Sequence, residues 1–164
     1  MDILDQSGTL LFRIPEDWNP IFADRDLLAG ANLREAQLTG TDFGNADLTG
    51  VCLARANLYQ AFLNQTNLRH ADLEDAILRG SDLEDADLGF ANLKRADLSV
   101  SGVGGLTRLG GANLIGANLD GANLTGALYD STTRFPDGFE PRSHGMLTLE
   151  EWQKAIEGYP GTTT

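Results

Sequence analysis

Cysteine is almost absent from this chain. The single thiol, Cys52, can close no internal disulfide and build no cysteine-based metal site. It falls at an outward position of the pattern described below, where a small neutral filler is a plainer role than redox chemistry. Histidine is nearly as scarce: His70 and His144 are the only two, with no partner at metal-ligand spacing, so neither a metal nor a cofactor is expected. Basic residues are outnumbered, 12 Lys and Arg against 24 Asp and Glu, and the formal charge is -12. That balance argues against direct contact with nucleic-acid phosphates. No apolar run approaches the ~20 residues of a membrane span, so no membrane partner is expected. The start, Met1-Asp2-Ile3-Leu4-Asp5, lacks the basic segment and apolar core of a signal peptide. A cytoplasmic location is the expectation, and a lumenal or periplasmic one only if a leader has been removed.

What the chain has in quantity is a period. Leu33, Leu38, Phe43, Leu48, Leu53, Leu58, Leu63, Leu68, Leu73, Leu78, Leu83, Leu88, Leu93 and Leu98 stand on every fifth residue. Leu114, Leu119 and Leu124 resume the series. Two residues before each centre sits something small (Ala31, Ala36, Thr41, Ala46, Val51), and between the two is usually Asp or Asn. A step of five fits neither a helix at about 100° per residue nor a continuous strand of side-chain period two. It keeps every leucine inside only if the chain bends once per repeat, so that five residues make one side and one corner of a coil. The small residue and the leucine then point inward and the residue between them outward. Gly40, Gly50, Gly80, Gly116, Gly121 and Gly126 fall at the corners, where permissive backbone angles help.

Units such as Ala31-Asn32-Leu33-Arg34-Glu35 and Ala71-Asp72-Leu73-Glu74-Asp75 resemble those of the pentapeptide-repeat family. The stretch Tyr129-Asp130-Ser131-Thr132-Thr133-Arg134-Phe135-Pro136-Asp137-Gly138-Phe139 resembles the exit of its cyanobacterial members. The resemblance implies an all-β solenoid, a right-handed quadrilateral β-helix with four repeats per coil. Counting centres then gives about five coils, a rod roughly 25 Å tall at ~4.8 Å between paired strands.

Residues 1–25 lie outside the register and are expected to cap the first coil, with Leu11, Phe12, Ile14, Trp18 and Phe22 as the cover. Residues 26–131 form the repeat domain, Leu28 being its first centre. After Leu98 the fives continue through Val103, and one extra residue near Gly104-Gly105-Leu106 reads as a corner bulge before Leu109. Residues 132–164 form a tail. Thr148 with Glu151 three residues on is a capping box that predicts a helix over 148–157. Leu149, Trp152 and Ile156 on one face make that helix a lid for the last coil, or a contact in a weak end-to-end dimer; otherwise the chain is a monomer.

Two surfaces stand out when the outward residues are stacked. The sides centred on Phe43 and Leu48 share a corner carrying Asp42, Asp47, Asp82, Glu84, Asp85 and Asp87, opposed only by Arg69 and Arg108. Phe62 takes a place usually held by Asp or Asn, and Tyr59, Ile77, Phe90 and Val100 put further apolar groups at outward positions. By contrast Glu35, Arg55, Asp75 and Arg95 alternate in sign along another corner and read as structural pairs. No catalytic constellation is present, since paired carboxylates need a cleft and a leucine-filled rod has none. The chain reads as a non-catalytic scaffold or protein-interaction module with an unidentified protein partner. The alternative carried by the resemblance is a DNA mimic that modulates DNA gyrase through the acidic corner.

Overall fold

A computed structural model describes residues 2–13, 28–101 and 105–157. The outward residues pair in parallel with a spacing of 20: Asn32 with Cys52, Cys52 with Asp72, and Asp72 with Asn92. Four pentapeptides therefore close one coil of a right-handed quadrilateral β-helix. Each rung uses two bonds. The amide of a centre donates to the carbonyl of the outward residue on the next coil (Leu33 to Cys52, 2.7 Å), and that residue's amide donates back (Cys52 to Ala31, 2.9 Å). The first side is centred on Leu33, Leu53, Leu73, Leu93 and Leu119, and the second on Leu38, Leu58, Leu78, Leu98 and Leu124. The third carries Phe43, Leu63, Leu83, Leu109 and Tyr129, the fourth Leu48, Leu68, Leu88 and Leu114.

Corners are made the same way throughout. The residue two after nearly every centre takes a left-handed backbone, with φ between 54° and 63° at ten non-glycine corners such as Glu35, His70, Phe90 and Arg95. Glycine fills many of the others, at lower cost because it has no Cβ to strain. The Asp or Asn before the centre supports the turn: its Oδ1 accepts the amide two residues on, as Asp42 does from Gly44 (2.9 Å) and Asp87 from Gly89 (3.0 Å). One acid per repeat is thus explained by local hydrogen bonding. Inside, the centres from Leu28 to Leu114 are essentially solvent-free. The few polar groups among them are satisfied: Thr66 Oγ1 donates to Phe43 O (2.8 Å) and Ser81 Oγ to Leu78 O (2.7 Å). Leu119 departs from the expected core, being only half-buried against it, because no coil lies beneath its side.

The interruption after Val100 is larger than the sequence suggests. Asp82 pairs with Arg108, 26 residues on, and Asp87, Asn92 and Asp97 keep the same longer step. The insertion is therefore six residues, not one, and Leu109 rather than Val103 stands below Leu83 (Val103 itself lies outside the described residues). Val100, like Ser131 after Tyr129, does not adopt a left-handed backbone, in keeping for Val100 with the cost of that region for a β-branched side chain. The residues flanking the insertion pack on the second side, with Tyr59 Oη 2.9 Å from Ser101 Oγ and Thr107 Oγ1 taking the Gly80 amide at 2.8 Å. Deleting residues 101–106 together with Val100→Gly restores the period of five. That variant is expected to stay folded and to melt within about 5 °C of the parent, the lost Tyr59 contact being worth ~1 kcal/mol. A thermal scan showing loss of the cooperative transition counts against the 26-residue register.

Both ends are covered by chain from outside the repeats. At the top a hairpin of β1 (Asp2–Leu4) and β2 (Leu10–Arg13) is tied by Asp5, whose Oδ1 accepts the Ser7 and Thr9 amides at 2.8 Å. The Leu4 carbonyl takes the Gln37 amide (2.8 Å), and Ile3, 1% exposed, plugs the first coil while Leu11 packs beside it. Ile14, Trp18, Phe22 and the side chain of Phe12 lie outside the described residues. At the bottom the tail returns twice to the rod, Arg134 pairing with Asn113 and Leu147 with Leu128. Met146, 1% exposed, closes the core there, and Phe135 packs between Tyr129 (centroids 5.8 Å) and Phe139 (5.1 Å). The helix α1 (Leu149–Glu157) follows, with the capping box in place: Glu151 Oε2 accepts the Thr148 amide at 2.9 Å, and Thr148 Oγ1 accepts the Glu151 amide at 3.3 Å. No residue of α1 is buried and Leu149 is 54% exposed. Sealing the core thus falls to Met146 and the Phe135–Phe139 pair, and the helix stands at the exit.

Candidate interaction surfaces

The acidic corner holds its six carboxylates in two groups. Asp42 and Asp47 belong to the first coil, and Asp82, Glu84, Asp85 and Asp87 lie about 10 Å further along the axis, two rung spacings away. Phe62 stands between Asp42 and Asp82 on the same column, 51% exposed, as its outward position implies. The second group is substantially neutralised. Arg108 Nη2 lies 2.5 Å from Glu84 and Nη1 4.0 Å from Asp82, while Arg69 Nη1 meets Asp87 at 3.3 Å. Asn113 Nδ2 adds a bond to Asp87 at 2.8 Å. Among the described residues no basic group pairs with Asp42, Asp47 or Asp85. The loop of six is what sets Arg108 beneath Asp82; with an uninterrupted step of 20 the residue below Asp82 would be Gly102.

The charge ladder on the first side forms as its alternation predicts. Arg55 bonds Glu35 at 2.9 Å, and Arg95 reaches both Asp75 (2.7 Å) and Glu74 (2.6 Å). The hydrogen bond from Arg95 holds the Asp75 carboxyl below its usual range, and the same contacts push the Arg95 guanidinium further up. These pairs are solvent-exposed and screened by water, so they contribute little to stability.

The apolar positions divide. Tyr59 is half-buried with its hydroxyl engaged by Ser101, so it anchors the loop and is not an open contact. Ile77 on the same side is 40% exposed. A cluster that the sequence reading did not assemble sits at the corner between the fourth and first sides. The Phe90 ring, 53% exposed, stacks on His70 with centroids 5.4 Å apart and planes 12° from parallel. The Arg69 guanidinium carbon is 5.5 Å from the centre of the same ring. Two glycines make room. A Cβ at Gly116 would fall 2.5 Å from the Phe90 ring, and one at Gly89 would fall 2.7 Å from Arg69 Nη1. The signal was in the chain as spacing: His70 and Phe90, like Arg69 and Gly89, are 20 residues apart, hence one coil apart on one column.

Near the exit, burial favours the neutral form of Asp130, but bonds from Thr132, Gly111 and Thr133 outweigh it and hold the carboxyl at about 2. The charge fastens the start of the tail to the corner at Gly111, whose amide lies 3.1 Å from Oδ1. Among the described residues no group of His, Cys, Asp or Glu is arranged to hold a metal ion. Nor is any described helix long and apolar enough to cross a membrane.

The family profile for pentapeptide repeats matches residues 27–65, 63–99 and 107–128, more than half of the chain, and its break spans the insertion. Among solved structures, the pentapeptide repeat protein Rfr23 of the cyanobacterium Cyanothece is 36% identical over 62% of this chain, with a TM-score of 0.44. This chain spans 65% of that protein's length. The pentapeptide repeat protein alr5209 of Nostoc is 37% identical over 71% of this chain and 84% of its own, with a TM-score of 0.38. A pentapeptide repeat protein from the thylakoid lumen of Arabidopsis thaliana is 32% identical over 65% of this chain and 70% of its own, with a TM-score of 0.32. No curated protein matches the chain.

Proposed function

The chain belongs to the pentapeptide-repeat family, and from that premise we propose that it is a rigid, non-catalytic interaction module that presents the sides of its rod to a protein partner. The observation carrying this reading is the solid interior. Leucines fill the axis from Leu28 to Leu114, so the chemistry-bearing side chains of the repeats are held outside, on rungs ~4.8 Å apart. Rigid presentation lowers the entropy cost of binding. The Phe90–His70–Arg69 corner is the side's best anchor, because an exposed aromatic flanked by a guanidinium is the composition enriched at binding hot spots. Proximity cross-linking in cells with wild type and with Phe90→Ser tests it. A partner captured by wild type and lost at least ~10-fold with Phe90→Ser, at unchanged circular dichroism, is the expected outcome. Equal capture by both removes this corner from the reading.

A second reading, an acidic rod acting on DNA gyrase in place of duplex DNA, is favoured by the net charge of -12 and by Asp42, Asp47 and Asp85, which meet no basic group among the described residues. The guanidinium groups of Arg69 and Arg108 weigh against it by interrupting the acidic column. A supercoiling assay decides: inhibition that disappears when the six corner carboxylates are neutralised supports gyrase, and no effect at high excess ends that reading.

A further inference from the structure

The lower end of the rod is closed unevenly. The tail adds a rung to the fourth side, where Leu114 donates to Arg134 O (2.7 Å) and Arg134 donates back to Ala112 O (2.9 Å). It adds another to the third side, where Leu147 donates to Ala127 O (3.0 Å) and Tyr129 to Leu147 O (3.1 Å). The first side receives none, and the second only a bond at its corner, from the Gly126 amide to Gly145 O (2.8 Å). Among the described residues the amides of Leu119, Gly121 and Leu124 and the carbonyls of Ala117 and Ala122 have no hydrogen-bond partner. One coil higher the same positions are all engaged, as in Leu93 to Asn118 O (2.8 Å), Arg95 to Asp120 O (2.9 Å) and Asn118 to Ala91 O (2.9 Å). An edge of this kind is a template for another strand.

Beneath the first side this edge faces a groove of about 360 Å³, with Ala117, Leu119 and Gly121 on one wall and Pro136, Phe139 and His144 on the other. Phe139 and His144 are stacked with centroids 4.3 Å apart, which gives that wall a flat face. Asp120 and Asp137 also line it, and among the described residues neither is in an ion pair.

We propose that this open edge is a docking site for an extended, lysine- or arginine-bearing peptide segment of a partner protein, which adds as the next rung of the first side. The occupant follows from three features. Backbone groups at rung spacing select an extended peptide. The tail's own attachment at Arg134 and Leu147 shows that non-repeat chain docks on this end by the same bonds. The two carboxylates select a basic segment. A second copy stacked head to tail is disfavoured because its upper end already carries the hairpin, with Ile3 in the coil and Leu4 O on Gln37. A tail-to-tail copy would bring Asp120 and Asp137 against their own like charges.

The inference rests on the interaction-module reading but is tested apart from it, by amide hydrogen exchange on the full chain. The probe is a blocked decapeptide of two Ala-Lys-Leu-Lys-Gly units, compared with one N-methylated at the first lysine of each unit, whose amide would donate to Ala117 or Ala122. The expected result is at least ~10-fold slower exchange at Leu119, Gly121 and Leu124 with the first peptide and none with the second, since protection tracks hydrogen bonding. Asp120→Lys with Asp137→Lys should weaken the effect ~5-fold or more without changing the melting temperature. Unchanged exchange at millimolar peptide, or equal protection by the methylated control, overturns the proposal. So does protection already present without peptide, concentration dependence then separating a second copy from the chain's own C-terminal residues. Failure here with the Phe90-dependent capture intact sinks only the edge site, and the reverse result sinks only the side corner.

Discussion

Leu73→Asp should leave the chain without a cooperative fold. Leu73 is solvent-free on the first side, stacked between Leu53 and Leu93, and its amide donates to Asn92 O at 2.7 Å. Removing the leucine costs roughly 2–5 kcal/mol in transfer and cavity terms, and a carboxyl left among leucines with no partner costs several more whether it stays charged or takes a proton. The sum is comparable with the whole stability of a small domain, about 5–15 kcal/mol. A solenoid has no second route around the damage, because each coil contacts only its neighbours. Far-UV circular dichroism and a thermal scan check this: the β signal should be lost, or the midpoint should fall by more than ~20 °C. The neighbouring Asp72→Asn is the control. Its Oδ1 can still accept the Glu74 amide (3.2 Å) and Asn92 Nδ2 (2.9 Å), so stability should stay within about 0.5 kcal/mol. A folded, wild-type-like Leu73→Asp protein is incompatible with the coil described above.

Ile3→Asp should have the next largest effect, and of a different kind. Ile3 is the plug of the first coil at 1% exposure, and the hairpin that carries it also occupies the Gln37 amide through Leu4 O. Aspartate is the informative replacement because lysine could lay its stem over the leucines and keep its charge in water. The expected cost is about 3 kcal/mol from lost apolar burial and a desolvated carboxylate. The lower coils should persist while β1 and β2 lift away and uncover the edge at Ala36 and Gln37. Light scattering after size exclusion should then show association that grows with concentration, alongside a melting point lowered by several degrees. A monomer with wild-type stability would mean that the cover of the first coil is elsewhere.

The contrast between these variants follows from how the rod is built. In the middle, each position repeats a local rule, so one wrong side chain violates packing above and below. At the ends, the rule stops and irregular chain must satisfy what the last coil leaves open. The top does so with a hairpin; the bottom does so on two sides, leaving the first open and the second bonded only at its corner. The surface follows the same division. Charges one coil apart, such as Glu35 with Arg55 and Asp75 with Arg95, meet wherever the step of 20 holds. Where it does not, partners change.

The coil, the inward leucines, the glycine corners and the Asp or Asn before each centre were legible in the sequence, because each depends on residues within one five-residue unit and the unit recurs. So were the outward position of Phe62, the ladder of Arg55 and Arg95, and the helix capped by Thr148 and Glu151. Only the tertiary structure decided the rest. A loop of six among glycines carries no periodic signal, so its length in coil terms is set by where Arg108 and Leu109 find their rung, and this is what places a guanidinium against Asp82 and Glu84. Ile3, Met146, Phe135 and Phe139 close the ends through contacts with residues far away in the chain, which no local pattern announces. The open edge at Leu119 and Leu124 is likewise a property of where the tail happens to return. Periodic backbone chemistry is written locally and can be read; register across a loop and closure at an end are settled by non-local packing.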